Sequence, residues 1–322
     1  MTLIRSRYNP ILTRSDIPDV KALLTDATSV FNPGAVMFEE RHLLLLRVQS
    51  RGRRTYLMKA ESKDGERFGV TNELITFKGL EREKGHIFHL YDVRITEIAG
   101  QFYLMFAIDL EHECRLGLAE TTDFVSFDYL GVVSQNDCRN GVIFPELFDG
   151  RYLRLERPNK SQMPGDPPSG SAIVLSESTD LINWSERAVV MEGRARYWDE
   201  LIGSGPPPVK TRSGWLHIYH GVATHFSSAN IYQAGVVLLD LADPSRVVRR
   251  GRDNILEPRE EYELIGQVPN VVFPTGLIVE DVDAEGFALP ESVVHLYYGA
   301  ADTVVAKATT TIDDLLEACQ EQ

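Results

Sequence analysis

Along the chain, apolar residues gather into short runs that break at small polar turns, with almost no spacing of the kind a helix would need. The run Trp215-Leu216-His217-Ile218-Tyr219-His220 alternates in the way expected of a half-buried strand. Similar runs recur as HLLLLRV (42–48), QFYLMFAID (101–109), RYLRLERP (151–158), WLHIYHGV (215–222) and VVHLYYGAAD (293–302). Three of them open after Ala99-Gly100, Asp149-Gly150 or Ser213-Gly214, residues that tolerate the left-handed backbone of a tight hairpin.

Two further patterns interleave with these runs. A turn carrying an aspartate and then an apolar residue appears at Asp64, Asp123, Asp180, Asp243 and Asp313, recurring about every sixty residues. A segment rich in Asn, Pro and Gly precedes each apolar run: FNPGAVMF (31–38), YDVRITEI (91–98), NGVIFPELF (140–148), GSGPPPVKT (203–211) and PNVVFPTGLIV (269–279). Four short strands per unit in five units predict an all-β, five-bladed β-propeller, a single domain over residues 1–322. Only TIDDLLEACQ, near the C-terminus, reads as a short helix.

In a propeller the innermost strand of each blade lines a central channel. The Asn- and Asp-initiated segments would bring Asn32, Asp92, Arg94, Asn140 and Asn270 to the channel's entry. The ends of the neighbouring strands would add Arg47, Asp109, Arg157, His220 and Asp302. Such residues also cap strands or pair structurally; their recurrence at equivalent places in every unit favours a shared site.

A formal net charge of −14 argues against nucleic acid and against an anionic membrane surface as partners, since both demand a basic face. An anionic co-substrate would therefore need a local cluster of cations. The three cysteines are too widely spaced for a disulfide framework, and the N-terminal residues lack an apolar leader, so the expected location is cytoplasmic. No metal-ligand spacing, phosphate-cradling glycine loop or nucleophile elbow is present, and no cofactor or metal is expected.

The segments FNPGA, YDVRIT, RNGVIFPELFDGRYLRLERP, WDELIGSGPPPVKTRSGWLHIYHGV, LLDLADPSRVVRRG and VPNVVFPTG, followed by YYGAAD, resemble glycoside hydrolase family 130, which comprises β-mannoside phosphorylases and some β-mannosidases. The resemblance covers nearly the whole chain. It implies that Asp92 is the general acid, protonating the bridge oxygen through the mannose 3-hydroxyl. It also implies that Asn32, Arg47, Tyr91 and Asp302 hold the mannose, and that Arg139, Asn140, Arg157, His220 and Tyr232 bind inorganic phosphate, the co-substrate. Forked guanidinium donors suit a phosphate, and a carboxylic acid is the usual proton source for glycosidic cleavage. The implied reaction is an inverting phosphorolysis of short β-mannosides to α-mannose 1-phosphate.

Two positions depart from the family pattern. Val93 replaces a proline beside Asp92, and Leu201 stands where the phosphorylases usually carry a lysine. The second leaves hydrolysis open, with Glu200 or Glu146 as the base that activates water; a carbohydrate-binding propeller without catalysis is a third reading. The segment NKSQMPGDPPSG (159–170) is expected to be a loop at the channel mouth. A homo-oligomer is left open.

Overall fold

A computed structural model describes residues 3–83, 85–159, 170–225 and 229–319. Most of the 159–170 segment therefore lies outside the described residues. Five antiparallel sheets are arranged as the blades of a propeller. Blade one holds Ser29–Val30 and Gly34–Phe38 innermost, then Arg41–Gln49, Thr55–Ser62 and Gly69–Leu74. Blade two is His89–Ile98, Gln101–Asp109, Cys114–Thr121 and Asp128–Val132; blade three is Cys138–Ile143, Tyr152–Pro158, Ala172–Ser178 and Ser185–Glu192. Blade four starts from Leu201–Ser204 and Val209–Thr211, interrupted by Gly205 to Pro208, and continues through Gly214–Ala223, Ile231–Leu239 and Val247–Arg250.

Blade five departs from the expected self-contained unit. Its chain supplies Val272–Val279, Val293–Ala300 and Val304–Thr311, but its outermost strand is Ile4–Arg5, paired as Ile4 with Thr309 and Arg5 with Ala308. Two residues carry no periodicity, so this closure of the ring had no sequence signal. It is reinforced by Arg5, whose Nε and Nη2 donate to Glu263 at 2.8 Å each. The terminal helix Ile312–Ala318 is present, and a second short one spans Glu261–Leu264.

Apolar faces fill the spaces between blades. Val93 and Ile95 of blade two join Leu43 and Leu45 of blade one in one cluster, and Val142 and Phe144 of blade three pack with Trp215 and Tyr219 of blade four. The recurring aspartates earn their spacing by local chemistry. Asp64, Asp123 and Asp180 each accept two backbone N–H groups from the turn after the third strand, and those bonds hold their carboxyls below the usual range. The fifth copy differs: Asp313 sits in the first turn of the terminal helix, where Thr311 caps Asp314.

The innermost strands are not regular. In blade two, Tyr91 pairs with Ala107 and Arg94 with Met105, so Asp92 and Val93 oppose Phe106 alone, a β-bulge. Blade three repeats this with Asn140 and Gly141 between Arg139 and Val142. Asp92 and Asn140 take positive φ values, 57° and 54°, a conformation that short polar side chains tolerate. The bulges carry these two residues out of strand alternation.

Candidate active site

Asp92, Asn140 and the other eight residues that the resemblance assigns line one cavity of about 220 Å³ at the entry end of the innermost strands, whereas Arg94, Asp109 and Asn270, expected at the channel's entry, are not part of its lining. All five blades contribute. A larger crevice of about 750 Å³ runs along blade three past Arg154, Glu156 and Trp184, but it holds none of the predicted residues and borders the undescribed segment after Asn159.

The cavity divides into two charge environments. On the first side, Asn32 Nδ2 donates to Asp92 Oδ1 at 3.1 Å, and Arg47 Nη1 lies 3.8 Å from the same oxygen. Among the described residues, both partners use Oδ1, which leaves Oδ2 without a donor. Thr275 of blade five fixes Asn32 in turn: its hydroxyl accepts from Asn32 at 3.1 Å and donates to the Pro33 carbonyl at 2.9 Å. Asp302, itself at φ 48°, is pushed up to about 6 by burial, with the charge of Asp92 adding to the shift and Arg47 opposing it.

Beneath Asp92 lies Arg94, 1% exposed. Its guanidinium donates to the carbonyls of Asp92 at 2.7 Å, Gly205 at 3.0 Å and Ser204 at 3.1 Å. One side chain thus ties the bulge of blade two to the glycine-proline interruption of blade four, so Arg94 is part of the framework rather than a ligand.

The second side gathers Arg139, Asn140 and Arg157 from blade three with His220 and Tyr232 from blade four. Arg157 Nη2 donates to Asn159 Oδ1 at 3.0 Å, while Arg157 Nε, Arg139 Nε and Asn140 Oδ1 are buried without protein partners. A buried, unpartnered donor is costly unless a ligand meets it. Burial, then the charge of Arg157, drives the His220 imidazole well below its ordinary value, so it is neutral. The Ser204 carbonyl is close enough to oppose that shift but not in hydrogen-bonding geometry. His220 packs against Phe273 at 4.5 Å between ring centroids and stacks with Tyr232 at 6.3 Å.

Between the two sides stands Tyr91. Its ring carries the Arg47 guanidinium at 4.6 Å and the Arg139 guanidinium at 5.8 Å, and its hydroxyl donates to Asp109 at 2.6 Å. Sequence reasoning also missed Val268, Val271 and Phe273, the apolar part of the lining, because apolar residues on a strand or loop carry no functional mark. The two carboxylates considered as bases for water lie elsewhere. Glu146, beyond the far end of its innermost strand, pairs with Lys210 at 2.5 Å, and Glu200 accepts from Thr224; neither lines the cavity. Leu201 pairs with Val222 and is absent from the lining too. Among the described residues no cluster has the make-up of a metal site, and no helix is long and apolar enough to cross a membrane.

Comparison with known proteins gives a consistent picture. The family model described as β-1,4-mannooligosaccharide phosphorylase, glycoside hydrolase family 130, matches residues 4–321. A β-1,4-mannooligosaccharide phosphorylase of Ruminococcus albus is 32% identical over 318 residues, 96% of this chain and 88% of that protein. A 1,2-β-oligomannan phosphorylase of a Thermoanaerobacter species is 33% identical over 260 residues, 80% of this chain and 78% of that one. Among solved structures, the β-1,2-mannobiose phosphorylase of Listeria innocua in complex with β-1,2-mannobiose superposes with a TM-score of 0.84 at 26% identity, covering 99% of both chains.

Proposed function

The chain belongs to glycoside hydrolase family 130, and from that premise we propose that it cleaves short β-mannosides by inverting phosphorolysis, with Asp92 as the general acid. The observation that carries this reading is the division of charge in the cavity. The two lining carboxylates, Asp92 and Asp302, both interact with Arg47, whereas the opposite set offers two guanidiniums, an imidazole, an amide and a phenol. An attacking water needs a carboxylate base on the face opposite the acid. Phosphate is already a nucleophile and needs cationic, forked donors instead.

In the proposed reaction a β-mannosyl unit lies between the sides, held through its hydroxyls by Asn32, Arg47, Tyr91 and Asp302. A phosphate oxygen, oriented by Arg139, Asn140, Arg157, His220 and Tyr232, attacks C1. The bond from C1 to the bridging oxygen breaks as the bond to phosphate forms, with inversion, and gives α-mannose 1-phosphate. The proton on Asp92 Oδ2 passes to the mannose 3-hydroxyl, whose own proton goes to the departing oxygen. The proton brought by phosphate restores the acid at the end of the cycle. The asymmetric use of Oδ1 by Asn32 and Arg47 supports Oδ2 as the proton-bearing atom.

The relatives named above are phosphorylases of β-1,4-mannooligosaccharides and of 1,2-β-oligomannan, so the substrate panel should include β-1,4- and β-1,2-mannobiose together with their longer oligomers. Following phosphorus-31 resonances, α-mannose 1-phosphate should accumulate only when phosphate and a β-mannoside are both present. Equal cleavage in phosphate-free buffer, releasing free mannose alone, refutes the proposal.

A further inference from the structure

We propose that Asp109, which does not line the cavity, is the residue that positions the phosphate-binding side; the inference rests on the phosphorolysis reading above. Asp109 ends the second strand of blade two. Its Oδ1 accepts the Tyr91 hydroxyl at 2.6 Å and faces Arg139 Nη2, on blade three, at 3.9 Å. Among the described residues it is the carboxylate within ion-pair reach of Arg139. One oxygen therefore fixes a guanidinium of the phosphate set and the aromatic plate beneath it, across a blade boundary.

The two arginines that flank Tyr91 depend on this arrangement to different degrees. Arg47 has a second platform, the Phe31 ring at 4.3 Å, and an anion of its own, Asp92. Arg139 has neither, and its Nε is buried without a partner. Its remaining support is the Tyr91 ring, with the Cys114 thiol nearby, and Cys114 also touches the Tyr91 hydroxyl, at 3.4 Å. Burial raises that thiol to about 11, so it stays neutral and offers Arg139 no countercharge. Arg157, by contrast, is oriented by Asn159, and Asn159 donates to Asp137 at 2.7 Å. Each arginine of the phosphate set thus has its own support, and for Arg139 the support is Asp109. The spacing of 3.9 Å is too long for a tight pair, so Arg139 is aimed without being consumed by the contact.

The consequence is selective. Asp109→Ala leaves the buried Tyr91 hydroxyl with only the weak Cys114 sulfur as acceptor and frees Arg139 to move, while Arg47 and Asp92 keep their own partners. Misplacing a binding group in this way should raise KM for inorganic phosphate about tenfold, with KM for the mannoside changed less than about twofold. Asp109→Asn keeps a carbonyl that can accept from Tyr91 but loses the charge that faces Arg139, so it should recover part of the phosphate affinity. Steady-state kinetics with phosphate and mannobiose varied in turn, together with Tm for each variant, test this. An unchanged phosphate KM in Asp109→Ala overturns it, as does an equal rise in both KM values that Asp109→Asn fails to rescue. If the unaltered enzyme turns over independently of phosphate, the parent reading fails along with it. Phosphate-dependent turnover with an indifferent Asp109→Ala defeats this inference alone.

Discussion

Replacing Gly203 with alanine should damage the phosphate side from beneath while leaving the fold in place. Gly203 pairs with His220 on the first inner strand of blade four, and its backbone is not in the left-handed region, so alanine meets no conformational objection. The objection is spatial. A β-carbon there would stand 2.4 Å from His220 Cε1, 2.6 Å from Asn140 Oδ1 and 2.8 Å from His220 Nε2. Ordinary carbon contacts lie near 3.5 Å, so the imidazole would have to retreat by about 1 Å. His220 has little room to do so, being 1% exposed and packed on Phe273. Overpacking of this kind costs about 1–3 kcal/mol of stability. A displacement of about 1 Å in a ligand-orienting group costs about a hundredfold in rate. The assay is kcat and phosphate KM for Gly203→Ala beside Gly69→Ala, an outer-strand control whose β-carbon would meet nothing within 4 Å. The control should match the unaltered enzyme. Normal kinetics in Gly203→Ala would mean that His220 and Asn140 do not hold the reacting anion.

Asp92→Asn keeps a residue tolerant of positive φ and should lower kcat by about a thousandfold while mannoside binding, measured calorimetrically, persists; an unchanged rate removes its role as acid. Because Asp302 titrates near 6, its carboxylate loses charge as pH falls through that value, so KM for the mannoside should rise on acidification and Asp302→Asn should flatten the profile. The same group affects stability in the opposite sense to most acids. Its folded value exceeds the unfolded one, so its favourable contribution is complete below about pH 4 and is lost as pH rises to about 6; the Asn variant should remove that slope from Tm against pH. Arg5→Ala strips a cation from Glu263, which is fully buried, and should cost about 3 kcal/mol in denaturant unfolding; a loss below about 0.5 kcal/mol would show that the ion pair does not secure the closing strand.

What could be read from sequence was what local chemistry writes into it. The turns at Asp64, Asp123 and Asp180 were legible because an aspartate that accepts backbone N–H groups two and three residues on is a property of the tetrapeptide itself. Ala99-Gly100 and Asp149-Gly150 do form turns with both residues at positive φ, but so does Glu39-Glu40, whose residue types gave no warning. Asn32, Arg47, Asp92, Asn140, Arg157, His220 and Asp302 were legible from their places at strand starts and ends, whereas Tyr91 and Tyr232 were marked by the family motifs alone. Nothing in the one-dimensional string distinguishes Asp92 on a bulge from Asp92 in regular pairing, and the difference decides where its carboxyl points. Likewise Arg94 reads as a residue of the channel's entry, yet its three carbonyl partners lie on two blades and emerge only from the closed ring. Thr275 and Asp109 were invisible as supports for the same reason, since their partners are supplied by other strands or other blades.

The pairing of Ile4 with Thr309 joins residues separated by 305 positions in the chain. Contacts so distant in sequence form late, since the loop entropy must be overcome before they reward it. Catalytic competence should therefore arrive in a single step at the end of folding, when Ile4–Arg5 finds the last sheet. A cavity that borrows from every blade cannot exist in halves, so a nascent chain missing its final sixth would carry Asp92, Arg139 and Arg157 and still be inert.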